Sequence, residues 1–150
     1  MVMQDKQEMR TIEFRGKTAA GIWVYGYLTV LHKRFRNIEP GTYISNSAGA
    51  PFAYRVIPET VGQYIGHTDE NNVRIYEGDR LKMYKHSDIT GKHEPNRVWG
   101  NGEYHEDIRT VQFKLGTFYT FAEYGIEITF LHMARPGESY EVIGNIHTSD

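Results

Sequence analysis

The sequence predicts an all-β fold: a barrel or pseudobarrel of short antiparallel strands with little helix. Three observations carry that expectation. Aromatic residues make up 13% of the chain, eleven of them Tyr, and these favour strands. Fifteen Gly, with Pro and Asn, punctuate the chain at the short intervals that turns require. No twelve-residue window pairs a clean 3.6-residue period with caps at both ends.

The elements follow in order. Residues 1–9 are a charged lead-in. "TIEFRG" alternates, so Ile12 and Phe14 are expected on a buried face and Thr11, Glu13 and Arg15 on a solvated one. "IWVYGYLTVLHK" is apolar on both sides. Ile22, Val24, Leu28 and Val30 share one face, and Trp23, Tyr25, Tyr27 and Leu31 the other. This predicts a central or doubly covered strand, with Gly26 marking a bulge or a close backbone approach. "RFRNIEPGTYISNSAGAPFAYRV" is irregular, with "TYIS" as a short edge strand and "FAYRVI" as a strand ended by Pro58.

"PET" reads as a turn and "VGQYIG" as a strand. "HTDENNVRIY" reads as a hairpin, because Asp69 and the Asn71-Asn72 pair accept left-handed backbone at modest cost. "EGD" is a tight turn with Gly78 at positive φ, and "RLKMYKH" a strand with Leu81 and Met83 inward. Ser87 to Asp107 is polar and turn-rich, a long loop or insertion. "IRTVQFKLGTFYTF" resumes alternation, with Val111, Phe113 and Leu115 on one face and Gly116 at a turn. "FAEYG" reads as either strand or helical turn, and "YEVIGNI" as the last strand. At 150 residues this is one domain over 1–150, with sub-units at 10–66 and 79–147 as the finer division.

Five blocks in this order resemble the YopX family of phage and prophage proteins. They are "IEFRGK" (Ile12 to Lys17), "WVYGYL" (Trp23 to Leu28), "VIPETVGQYIG" (Val56 to Gly66), "IYEGDRL" (Ile75 to Leu81) and "EVIGNI" (Glu141 to Ile146). The resemblance spans nearly the whole chain, leaving out Ser87 to Asp107 and Tyr119 to Ser139. It implies an all-β, barrel-like fold and no defined biochemical role, so no catalytic set comes with it. Two departures stand out. The family's "DKNGK" hairpin is here "DENNV", and His147 replaces the Tyr that usually follows "EVIGNI".

Composition excludes several chemistries. With no Cys, disulfides, thiol catalysis and Cys-based zinc sites are ruled out. A net charge of −2 gives no global attraction to nucleic acid or anionic lipid. The charged N-terminus lacks the apolar core of a signal peptide, and "GIWVYGYLTVL" is too short to span a bilayer. A soluble protein of the host cytoplasm, away from membranes, is expected. Neither a G-x-S-x-G nor a phosphate-binding Gly-rich motif is present.

The candidate binding residues are Glu59, Gln63, Tyr64, Glu77, Asp79, Lys33, Arg34 and Arg36. Glu59, Glu77 and Asp79 form a carboxylate cluster if held close, with split pKa values suited to acid–base work or a hard cation. Against this stands turn chemistry, in which such carboxylates bond nearby N–H groups. "HTD" and "HSD" repeat a His-x-Asp spacing, and His67, Asp69, Glu77 and Asp79 make the set for a metal-dependent hydrolase or nuclease. The established metal-ligand spacings are absent, so neither a metal nor another cofactor is assigned. "HKRFR", following Trp23, Tyr25 and Tyr27, suits a single-strand nucleic-acid surface, although strand aromatics more often fill a core. The resulting expectation is a binding or assembly module rather than an enzyme. It forms a homo-oligomer and has a phage or host protein as a further partner, with nucleic acid less favoured.

Overall fold

The computed structural model describes residues 10–46, 52–86, 93–95, 107–122, 128–130 and 138–148. They form two antiparallel sheets. The first contains β1 (Phe14–Lys17), β2 (Trp23–Leu31), β3 (Gly41–Asn46), β4 (Ala53–Arg55), β5 (Gly62–Thr68) and β6 (Arg74–Tyr76), in the order β4-β3-β2-β1-β5-β6. The second contains β7 (Asp79–His86), β8 (His93–Pro95), β9 (Ile108–Lys114), β10 (Thr117–Ala122), β11 (Ile128–Phe130) and β12 (Glu138–Asn145). Its order is β11-β10-β9-β7-β12, and β8 also pairs with β7. The one helical element among the described residues is a 3-10 turn at Pro58–Thr60. No helix among them is long and apolar enough to cross a membrane.

The protein is therefore all-β, as the turn spacing predicts. The barrel expectation resolves differently. Closure requires the outer strands to pair with each other. Among the described residues, β4 and β6 end the first sheet and β11 and β12 the second, so neither closes.

Local turn chemistry sets the connections. Asn72 adopts φ 63°, while Asp69 Oδ1 accepts the N–H groups of Asn71 and Val73 at 2.9 and 2.8 Å. The carboxylate thus builds the β5–β6 hairpin, as Asp commonly does in turns. Leu115 and Gly116, both at positive φ, make the two-residue turn between β9 and β10. Leu115 is consequently solvent-exposed, and so is Phe113, so the inward face expected for "VQFKL" holds only at Val111.

The core lies where β5 and β6 meet the second sheet. Ile65, Ile75, Leu81 and Val111 are buried there, with Phe118, Tyr140 and Val142 packed against them. Met83 is buried as well, so the inward pair on β7 is as expected. "TYIS" lies in β3, between β2 and β4 rather than at an edge; β4 is the edge strand. The junction between the sheets is the turn at Glu77 and Gly78. The Gly78 N–H donates to the Val111 carbonyl, and the Gly78 carbonyl accepts from the Ile146 N–H. Most of Ser87 to Asp107, and the segment "EYGIE" at 123–127, lie outside the described residues. Asp107 is buried and pairs with Arg109 at 2.8 Å.

Candidate functional site

Strand pairing assigns the faces of the first sheet. Arg15 stands opposite Tyr25, Lys17 opposite Trp23, Tyr27 opposite Ser45, Thr29 opposite Tyr43, and Tyr43 opposite Arg55. Directly paired residues point to one side. One face thus presents aromatic rings interleaved with cations. The other presents Phe14, Val24, Leu28, Val30 and Ile44, and only part of it is buried.

At one end of the aromatic face the side chains converge. The Arg15 guanidinium lies between the rings of Trp23 and Tyr76, 4.9 and 4.8 Å from their centroids. It pairs with Asp79 at 2.6 Å and donates to the Glu77 carbonyl at 3.2 Å. Asp79 is 1% exposed. Its Oδ1 also accepts from Asn145 Nδ2, and its Oδ2 accepts the Tyr76 N–H at 2.8 Å. Burial pushes the Asp79 carboxyl up from its ordinary range, opposed by the Arg15 charge and by these hydrogen bonds. Among the described residues Arg15 Nε is buried with no hydrogen-bond partner, and the flanking rings are its surroundings.

Beside this latch, Glu13 receives the Tyr76 hydroxyl at 2.5 Å and Arg74 at 2.8 Å. Burial, and then the bond to Glu13, push the Tyr76 phenol well above its usual value. Tyr76 packs between Tyr25 and Tyr64, each 5.6 Å away. A cleft of about 490 Å³ opens here, lined by Glu13, Arg15, Tyr25, Tyr76, Val142 and Asn145 among others.

The expected site residues fall in three places. Tyr64, Asp79 and the Glu77 carbonyl join the Arg15–Tyr76 cluster, and Gln63 flanks it on β5. Glu59 is exposed on the 3-10 turn. Lys33, Arg34 and Arg36 are exposed in the β2–β3 connection, at the opposite end of β2. Arg34 pairs there with Glu39 at 2.9 Å, and Arg36 lies over the Phe35 ring. The hydrolase set is not assembled. His67 is exposed, whereas Asp69 is buried and spends its oxygens on the Asn71, Val73 and Val142 N–H groups. No group of three or more His, Asp or Glu that could hold a metal ion is gathered among the described residues. Asp88, of the second His-x-Asp pair, lies outside the described residues.

Sequence reasoning missed Glu13 and Arg15 because it put them on a solvated face. They are 9% and 8% exposed, while Ile12 is 52% exposed, so the strand is turned over relative to expectation. Each charge has a partner more than 60 residues away, which alternation cannot reveal. The aromatics were weighed mainly as core. Instead Tyr25 and Tyr27 are exposed, at 44% and 62%.

An all-β chain whose described strands form two open sheets, joined by the buried Arg15–Asp79 pair, defines the class of protein. A family model described as YopX protein matches residues 6–150, and the chain belongs to the YopX family. A crystal structure of protein EF1440 from Enterococcus faecalis is similar, with a TM-score of 0.47 and 20% identity. That likeness covers 93% of this chain and 95% of the other. No curated protein sequence matches the chain.

Proposed function

We propose that the protein is a non-enzymatic binding and assembly module, phage- or prophage-encoded and acting in the host cytoplasm, that works as a homo-oligomer. The observation that carries this is the bare apolar margin of the first sheet. Ile22, Val30, Phe52 and Tyr54 are 62%, 47%, 66% and 44% exposed. At the Ile22 end a groove of about 810 Å³ is lined by Ile22, Val24 and Tyr54 together with Trp23, Tyr25 and Arg55. The margin ends on β4, which among the described residues pairs on one side only, with β3.

An exposed edge strand next to apolar surface needs covering. A second copy across a two-fold axis supplies both a ladder partner and an apolar face. The two aspartates of the hydrolase reading, Asp69 and Asp79, hold a hairpin and a latch, which supports a binding rather than a catalytic role.

Light scattering on eluting protein at micromolar concentration tests the assembly. A dimer or larger species is expected, with Tyr54→Asp shifting it toward monomer. A wild-type mass near 17.4 kDa overturns self-association.

A further inference from the structure

We propose that the aromatic face of the first sheet binds single-stranded nucleic acid, on the face opposite Val30 and Tyr54, the groove beside Ile22 reaching both faces at Trp23 and Tyr25. The proposal rests on the reading as a binding module, though not on its oligomeric state.

Four features support it. Tyr25 and Tyr27 follow one another on one face of β2 and are exposed, so their rings are open to stacking. Bases of a single strand stack on such rings whatever the sequence, whereas paired bases are already stacked within the duplex. Cations lie along the same face. Glu13 and Asp79, the carboxylates bonded into it among the described residues, are each matched by an arginine. Lys17 and Arg55 are instead held on carbonyl oxygens, those of His147 and Pro40, and so leave the face net positive.

The track also has two suitable ends. Beside Tyr25 is the cleft of about 490 Å³, with Arg15 and Arg74 in its lining. At the Leu31 end is the exposed connection carrying Lys33, Phe35 and Arg36, with Arg34 matched by Glu39. Tyr25 to Leu31 on β2 joins these ends over roughly 20 Å at the usual rise per strand residue. That is long enough for several extended nucleotides. Overall charge is −2, so attraction comes from this local arrangement and should be moderate and salt-dependent.

The test is fluorescence anisotropy of the full chain with 5′-labelled oligo-dT of twenty nucleotides and with a twenty-base-pair duplex, at low and moderate salt. The single strand should bind at low salt, at least tenfold tighter than the duplex. Tyr27→Ala should weaken it roughly 5- to 150-fold, the range for losing one base–ring stack, and Tyr27→Phe should retain it. Lys33→Ser with Arg36→Ser should flatten the slope of log K against log salt by about 1.4.

Photocrosslinking of wild-type protein to an iodouracil-substituted strand adds a readout independent of variant folding, and adducts on Trp23, Tyr25 or Tyr27 are expected. No single-strand binding at low salt overturns the proposal. So does equal affinity for duplex, crosslinking confined to the second sheet, or a Tyr27→Ala variant that changes the light-scattering mass but not the anisotropy. Mass measured on the same sample separates the two readings: an oligomer that binds no oligonucleotide sinks this inference alone, and a monomer that binds sinks self-association alone.

Discussion

Asp79→Ala should be among the most damaging single substitutions in the chain. Asp79 is 1% exposed and joins two distant segments, Arg15 on β1 and Asn145 on β12, to the local Tyr76 N–H on β6. Removing the carboxylate leaves Arg15 charged and buried, with the Glu77 carbonyl at 3.2 Å as its remaining hydrogen-bond acceptor. Breaking a buried pair from one side typically costs about 3–5 kcal/mol. The Tyr76 N–H also loses its 2.8 Å acceptor, adding at least ~1 kcal/mol. The expected loss is about 4–6 kcal/mol, a large share of the stability of an ordinary domain.

For a chain of this size that lowers the melting temperature by roughly 10–20 °C. Circular-dichroism melts and urea titrations measure it. The double variant Arg15→Met/Asp79→Leu should recover most of the loss, because apolar replacement of both partners removes the unpaired charge. A drop below about 3 °C for Asp79→Ala, or a double variant less stable than the single, would refute the latch.

Other predictions follow from the same geometry. A Cβ on Gly62 would lie 2.4 Å from the Glu77 carbonyl oxygen, so Gly62→Ala should force the β5 backbone away and destabilise by several kcal/mol; unchanged urea midpoints would contradict that contact. Gly78 sits at φ +87°, so Gly78→Val should cost about 1–3 kcal/mol in backbone strain, and an unaltered melting temperature would count against the turn. Burial, then the Arg15 and Lys17 charges, lower the His147 pKa from 6.5. The unfolded chain therefore binds that proton more tightly, so this contribution to stability is full above pH 6.5 and is lost as pH falls through 6.5 toward the folded value. Melting temperature should fall more steeply below pH 6.5 in wild type than in His147→Gln, and parallel curves would refute the shift.

Much of the fold was legible in the sequence where the signal is local. The hairpin at Asp69–Val73 and the tight turn at Gly78 depend on residue types that accept positive φ or bond their own backbone, which a short stretch displays. The inward pair Leu81 and Met83 follows from period-two alternation on a strand with one covered face. Alternation failed at Glu13 and Arg15 because it equates charge with solvent. Only pairing with Arg74 and Asp79 makes their burial tolerable.

By itself the sequence determined the strand-and-turn grammar, the family and the absence of thiol chemistry, since each rests on residue identity or on spacing over a few positions. The tertiary structure decided the remainder. It brought Arg15 from β1 to Asp79 on β7, left the described strands as two open sheets, and turned Tyr25 and Tyr27 outward while a neighbouring tyrosine, Tyr76, was buried. The physical reason is that burial of a charge or a ring depends on what arrives from far along the chain to satisfy or cover it, and no local pattern encodes that arrival.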